Sequence, residues 1–114
     1  IFMHETNKEL VDFEMDIYWV VTAGQDPIYW LKKYPERFKL LHLKDRQKGI
    51  SLNNREASVV LGTGSIDMPK AIKVGYENGI RHLIVEQEQY VGTTPLEAAK
   101  ANADYLKSLL SKVD

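Results

Sequence analysis

The sequence predicts an α/β fold of three consecutive strand–helix units with parallel strands. Three observations predict it. Runs rich in β-branched and aromatic residues occur at 11–19, 37–43 and 81–89; a capped helical pattern follows each; and the two alternate along the whole chain. Such alternation requires parallel pairing through right-handed crossovers, because each helix must carry the chain back across the sheet. Three parallel strands make either a small open sheet or a slice of a larger closed one. A complete barrel of eight units takes about 250 residues, and this chain has 114. Its first ten residues read as the tail of a preceding helix and its loop, so a slice of a barrel is expected.

The first strand, VDFEMDIYW, leads through TAGQDP into the helix PIYWLKKY. Asp26 stands where a side chain caps the helix, and Pro27 falls at the first helical position, where no N–H is needed. Pro35 ends it, since the residue before a proline avoids the helical region. The second strand, RFKLLHL, opens a long connection over 44–66 that contains KGISLNN and LGTGS, with EASVVL as one further extended piece. Connections of this length inside a compact domain are uncommon and often functional. Asp67 caps the helix MPKAIKVGYEN, which stops at Gly79. The third strand, RHLIVEQEQ, turns at YVGTTP into the last helix, where Thr94, Pro95 and Glu97 form a capping-box pattern. Leu96, Ala99, Ala103, Leu106 and Leu110 recur at helical spacing and predict its buried face.

Composition excludes several classes. With 15 basic and 16 acidic residues the net charge is −1, and no basic stripe suggests a nucleic-acid partner. The absence of cysteine rules out thiolate metal sites, disulfides and cysteine nucleophiles. No apolar run approaches the ~20 residues of a membrane span. The start at Ile1, without a methionine or a basic leader, suggests that a preceding segment has been removed. Localisation is therefore unread, with the cytoplasm as the default expectation.

Each strand carries one ionisable residue near its C-terminal end: Asp16 in FEMD, His42 in KLLH and Glu86 in LIVE. Alternation places Glu14 on the face of Asp16, Leu40 on that of His42, and His82 and Ile84 on that of Glu86. Taken singly, each fits a solvated strand end paired with Lys44 or Arg81. Taken together, at matched positions on neighbouring parallel strands, they converge on the edge where α/β folds bind ligands. Two carboxylates and an imidazole suit a divalent Mn, Co, Zn or Mg ion.

In combination, FEMDIYWVVTAGQDP, KYPERFKLLHLKD, LGTGSIDMP and IRHLIVEQE resemble the C-terminal part of sugar phosphate isomerase/epimerase proteins, the xylose isomerase-like TIM-barrel superfamily. The resemblance spans about residues 10 to 110. It implies that residues 1–114 are the C-terminal fragment of a single (β/α)8 barrel domain. It also implies that Asp16, His42 and Glu86 are metal ligands, with Glu86 as a catalytic base exchanging the proton beside a sugar carbonyl. A further glutamate ligand belongs to an earlier strand, and nothing here matches it. The fragment alone is then expected to be inactive, and to self-associate or pack with the missing N-terminal half of the barrel.

Some epimerases, and the endonuclease IV group, have a histidine three residues after the aspartate. Here that position is Trp19, an aromatic wall suited to a sugar or simply barrel packing. Lys44 and Asp45 stand where substrate contact, orientation of a ligand or a salt-bridged strand end are all open. Gly62 and Gly64 of LGTGS read as a backbone turn more than as a phosphate cradle. His82 begins its strand far from the edge and reads as structural; His4 carries no assignment. Tyr18, Tyr29, Trp30 and Tyr34 read as packing residues. A carbohydrate substrate is expected, with a metal-dependent isomerase or epimerase as the leading function. Endonuclease, dehydratase or hydrolase chemistry on the same metal, and a non-catalytic carbohydrate-binding or scaffold domain, are the alternatives, since one barrel hosts many reactions.

Overall fold

The computed structural model describes residues 1–111. In chain order its elements are α1 (Phe2–Glu5), β1 (Phe13–Asp16), α2 (Ile17–Thr22), α3 (Pro27–Lys33), β2 (Phe38–Leu43), β3 (Asp45–Arg46), β4 (Ser58–Val59), α4 (Met68–Glu77), β5 (His82–Val85) and α5 (Pro95–Leu110). The expected parallel sheet forms, in the order β1-β2-β5, and β3 pairs antiparallel with β4 inside the long connection. The architecture is that of an incomplete (β/α) barrel, corresponding to a C-terminal portion.

The helix signals act as read. Asp26 accepts from the Ile28 N–H at 2.8 Å, Asp67 from the Lys70 N–H at 3.1 Å, and Thr94 and Glu97 close a reciprocal capping box. Met15, Leu41 and Leu43 project from the sheet into a core with Tyr18, Leu31, Met68 and Ile72. Gly75 lets α4 lie directly on Leu41, since a Cβ there would sit 2.8 Å from the leucine methyl. The opposite face of the sheet is open: Glu14 is exposed, His42 is half-buried, and Ile84 is 42% exposed. Helices thus cover one face only, as on the outside of a barrel wall.

Two expectations are corrected. The first strand stops at Asp16, although IYWVVT has high strand propensity. The Asp16 carboxylate accepts the Trp19 N–H at 3.2 Å and starts α2 there, so a side-chain cap together with burial of Ile17 and Tyr18 overrides propensity. In α5, most of the expected stripe is turned away from the body: Leu96, Ala99, Ala103 and Leu110 are exposed, and of the five only Leu106 packs against the core. Leu96 is 81% exposed, and Ala98 and Asn102 are the buried residues. Asn102 fixes that rotation, accepting the Leu61 N–H at 2.7 Å and donating to Gln87 Oε1 at 3.0 Å. Its hydrogen bonds outweigh the apolar stripe because the Leu61 N–H would otherwise be buried without a partner. Ala99, Ala103 and Leu106 of the stripe line a cleft with Val85, at the edge of β5 that carries no further strand among the described residues.

Candidate metal centre

Asp16, His42 and Glu86 do converge. Asp16 ends β1 and is the register partner of His42 on β2. Glu86 lies just past β5, where its N–H extends the ladder by donating to the Leu43 carbonyl at 3.1 Å. The partner of His42 on β5 is Ile84, so Glu86 is two residues further along rather than level with it. Two residues preserve the face, and staggering of neighbouring strands is what a barrel imposes.

His42 stands between the two carboxylates. Its Nδ1 is 3.3 Å from Asp16 Oδ2, and its Nε2 is 3.2 Å from Glu86 Oε2. One ligand atom from each of the three residues falls within 4.8 Å of the others. Asp16 uses its oxygens separately, Oδ1 for the α2 cap and Oδ2 for the site. Burial pushes the Asp16 carboxyl above its ordinary value, against the opposing pull of the Trp19 N–H and His42. Glu86 goes the other way: its hydrogen bond with the Lys44 ammonium holds it below the usual glutamate value, so it is ionised at neutral pH. Two oxygen donors and one nitrogen donor, gathered at the C-terminal edge of a parallel sheet, match what a divalent cation takes.

The other expected residues are placed differently. Trp19 is on α2, not on a strand; it is 39% exposed and meets the Tyr18 ring edge-on. Lys44 is buried to 1% exposure and turned to the protein, with Nζ 2.7 Å from Glu86 Oε2 and 3.0 Å from Glu88 Oε2. Burial lowers its pKa, but the hydrogen bonds to Glu86 and Glu88 more than offset this and hold the ammonium above the ordinary lysine value.

Asp45 is wholly buried and belongs to neither surface nor salt bridge. Its carboxylate accepts four backbone N–H groups, from Arg46 and Ile66 on Oδ1 and from Gly62 and Gly64 on Oδ2, at 2.8 to 3.1 Å. The LGTGS loop is therefore an anion cradle whose anion is the chain's own Asp45. Gly62 has φ +81°, and at Gly64 a Cβ would strike the Asp45 carboxylate.

Three contributors escaped the sequence reading. Arg46 is buried to 1% exposure and donates to Tyr18 Oη, Thr22 Oγ1 and the Ser51 and Asn54 carbonyls, tying the 47–57 loop to α2. Ser58 fixes the segment after β5 by accepting the Glu88 and Gln89 N–H groups, and Glu88 pairs with Lys44. Isolated polar residues in two-residue strands or loops carry no periodic signal, so nothing in the sequence marks them.

No family model matches the chain. A sugar phosphate isomerase/epimerase from Parabacteroides distasonis ATCC 8503 superposes with a TM-score of 0.77 at 38% identity, over 92% of this chain and 33% of that one. The chain has the fold of the xylose isomerase-like sugar phosphate isomerase/epimerase superfamily. Within this superfamily fold, the IOLI protein, solved with a bound zinc atom, superposes with a TM-score of 0.71 at 22% identity, over 90% of this chain and 38% of that one. In sequence, the inosose dehydratase of Clostridium botulinum (strain Eklund 17B / Type B) is 33% identical over 123 residues, covering 96% of this chain. That of Clostridium perfringens (strain 13 / Type A) is 34% identical over 119 residues, covering 92% of this chain. The chain spans about two fifths of the length of these curated relatives, 41% and 40% respectively.

Proposed function

We propose that this chain is the C-terminal fragment, residues 1–114, of a single xylose isomerase-like barrel domain. In the full-length protein it serves a divalent-metal-dependent sugar or sugar phosphate isomerase or epimerase. The observation that carries the reading is the approach of Asp16, His42 and Glu86 ligand atoms to within 4.8 Å at the C-terminal edge of the sheet. Asp16, His42 and Glu86 would hold the ion; when bound, it supplies a positive charge that polarises a carbonyl and its neighbouring hydroxyl. Glu86, ionised and 40% exposed, is the base that takes the proton beside the carbonyl, leaving an enediolate, and returns it. Trp19 offers its exposed ring as one wall for the sugar. The fourth ligand, a glutamate that would also be the second proton-exchanging group, would come from an earlier strand outside this chain, so the fragment alone is expected to be inactive.

The named activity of the curated relatives supports a second reading with the same first step. Removal of the proton beside a carbonyl also begins a dehydration, in which a neighbouring hydroxyl then leaves as water. The test is to incubate the metal-loaded full-length protein with ketoses, ketose phosphates and an inosose in deuterated water. Isomerase or epimerase activity exchanges deuterium into the sugar beside the carbonyl, and a dehydratase releases an unsaturated product. Either is lost with Glu86→Gln. Neither exchange nor elimination with any of these substrates and Mn, Co, Zn or Mg rejects both readings.

The open inner face of the sheet and the apolar stripe on α5 are assigned to the rest of the barrel. Presented without it, they are expected to make the 114-residue chain self-associate. Light scattering that reports a stable monomer at high concentration would count against this assignment.

A further inference from the structure

Lys44 is far less exposed than any of the three candidate ligands, yet both of its carboxylate partners are open to solvent. It is 1% exposed, against 40% for Glu86 and 45% for Glu88. Lysines are almost never fully buried unless paired, because desolvating the ammonium is costly. Lys44 has two partners and two aromatic walls, with Nζ 5.3 Å from the Tyr18 ring centroid and 5.6 Å from that of Trp19. This is unlike a surface ion pair, whose partners are free to separate.

The backbone behind the carboxylates is also fixed. Glu86 lies past the end of β5; its N–H still bonds the Leu43 carbonyl of β2, but the chain beyond it belongs to no helix or strand until α5. Ser58 Oγ accepts the N–H groups of Glu88 and Gln89 at 2.9 and 3.0 Å, and the Ser58 N–H donates to Gln89 Oε1 at 3.0 Å. Asn102 holds Gln87. The backbone of the segment is clamped from β4 and α5, and the Glu86 carboxylate is clamped by Lys44, just past the end of β2.

We propose that Lys44 is a positioning residue which, braced by Glu88, fixes the Glu86 carboxylate where it meets His42. Lys44 does not touch substrate. The inference rests on the metal reading above. A ligand on an irregular segment must be held by its neighbours to bind a metal well, and removal of such an outer partner costs ~10–100-fold in affinity.

The test is Co²⁺ titration of the full-length protein, followed by calorimetry and by the visible absorption of the bound ion, with melting curves to confirm folding. Lys44→Met is expected to weaken Co²⁺ binding by about 10–100-fold and to alter the absorption band. In a Glu86→Gln background the same change is expected to add less than about twofold, since the two residues act as one unit. Glu88→Gln, at an exposed position, is expected to show a smaller loss with the same dependence on Glu86. If Lys44→Met does not fold, Glu88→Gln measured with and without Glu86→Gln decides the question.

Equal weakening in both backgrounds would make the role merely structural and overturn the proposal. Unchanged binding would overturn it, as would tighter binding, the result if Lys44 acted only as a repelling charge. If Asp16→Asn and Glu86→Gln both leave Co²⁺ binding unchanged, the metal reading itself falls, and this inference with it.

Discussion

Asp16→Asn is expected to weaken divalent-cation binding by at least about 100-fold while leaving the fold intact. The two oxygens of Asp16 do separate jobs. Oδ1 caps α2 through the Trp19 N–H, and Oδ2 faces His42. Asparagine is as good a cap as aspartate, so α2 keeps its start. It supplies no anionic oxygen, so the site loses charge as well as a ligand. Asp16→Ala loses the cap too, at about 1 kcal/mol, and the pair of variants separates the two roles.

The same substitution is expected to act on stability in the opposite direction. Burial holds the folded-state pKa of Asp16 above its unfolded value. A carboxyl raised in this way costs nothing while both states are protonated. It destabilises the metal-free fold as pH rises through the unfolded and then the folded pKa. Metal-free Asp16→Asn is therefore expected to melt higher than the parent at neutral pH, with the difference closing as pH falls below the unfolded value. Metal analysis of the full-length protein and melting curves at neutral and acid pH measure both effects. Full metal content in the variant would remove Asp16 from the site.

Asp45→Ala is expected to cost about 4 kcal/mol of stability, since it strands four buried or partly buried N–H groups at ~1–3 kcal/mol each before any relaxation. Against a total of roughly 5–15 kcal/mol for a domain, that threatens folding outright. Gly64→Ala tests the same cradle without removing charge, because its Cβ would occupy the space of the carboxylate. Both variants should show a lowered urea midpoint and faster amide exchange at Gly62, Gly64 and Ile66. Wild-type stability in Asp45→Ala would mean that these N–H groups find water or other partners. It would also reopen a surface role for Asp45.

Much of the fold is written locally. Asp26, Asp67 and Thr94 cap helices because each has an oxygen within reach of the next turn, a relation spanning only two or three residues. Strand order and direction follow from the alternation of elements, since short crossovers leave few topologies. The site was legible for the same reason. Asp16 and His42 are polar residues at the ends of apolar strands, and parallel pairing sets such ends side by side. Glu86 was found with the right partners but in the wrong register, because stagger belongs to the closed sheet and not to any one strand.

Sequence by itself therefore determined the strand–helix order, the caps and the three residues that converge at the candidate metal centre. The tertiary structure decided what those ends are held by. Strand propensity carried the first strand past Asp16, but the competing cap and the burial of Tyr18 ended it there. Lys44 and Asp45 follow His42 in the sequence and looked alike as candidates for substrate contact. The fold gives one to Glu86 and Glu88 in the segment after β5, and the other to a loop 17 to 21 residues away. Those partners are distant in the chain, and burial makes each of them obligatory: an ammonium or carboxylate taken out of water must be met by opposite charge or by N–H groups, wherever in the sequence they lie.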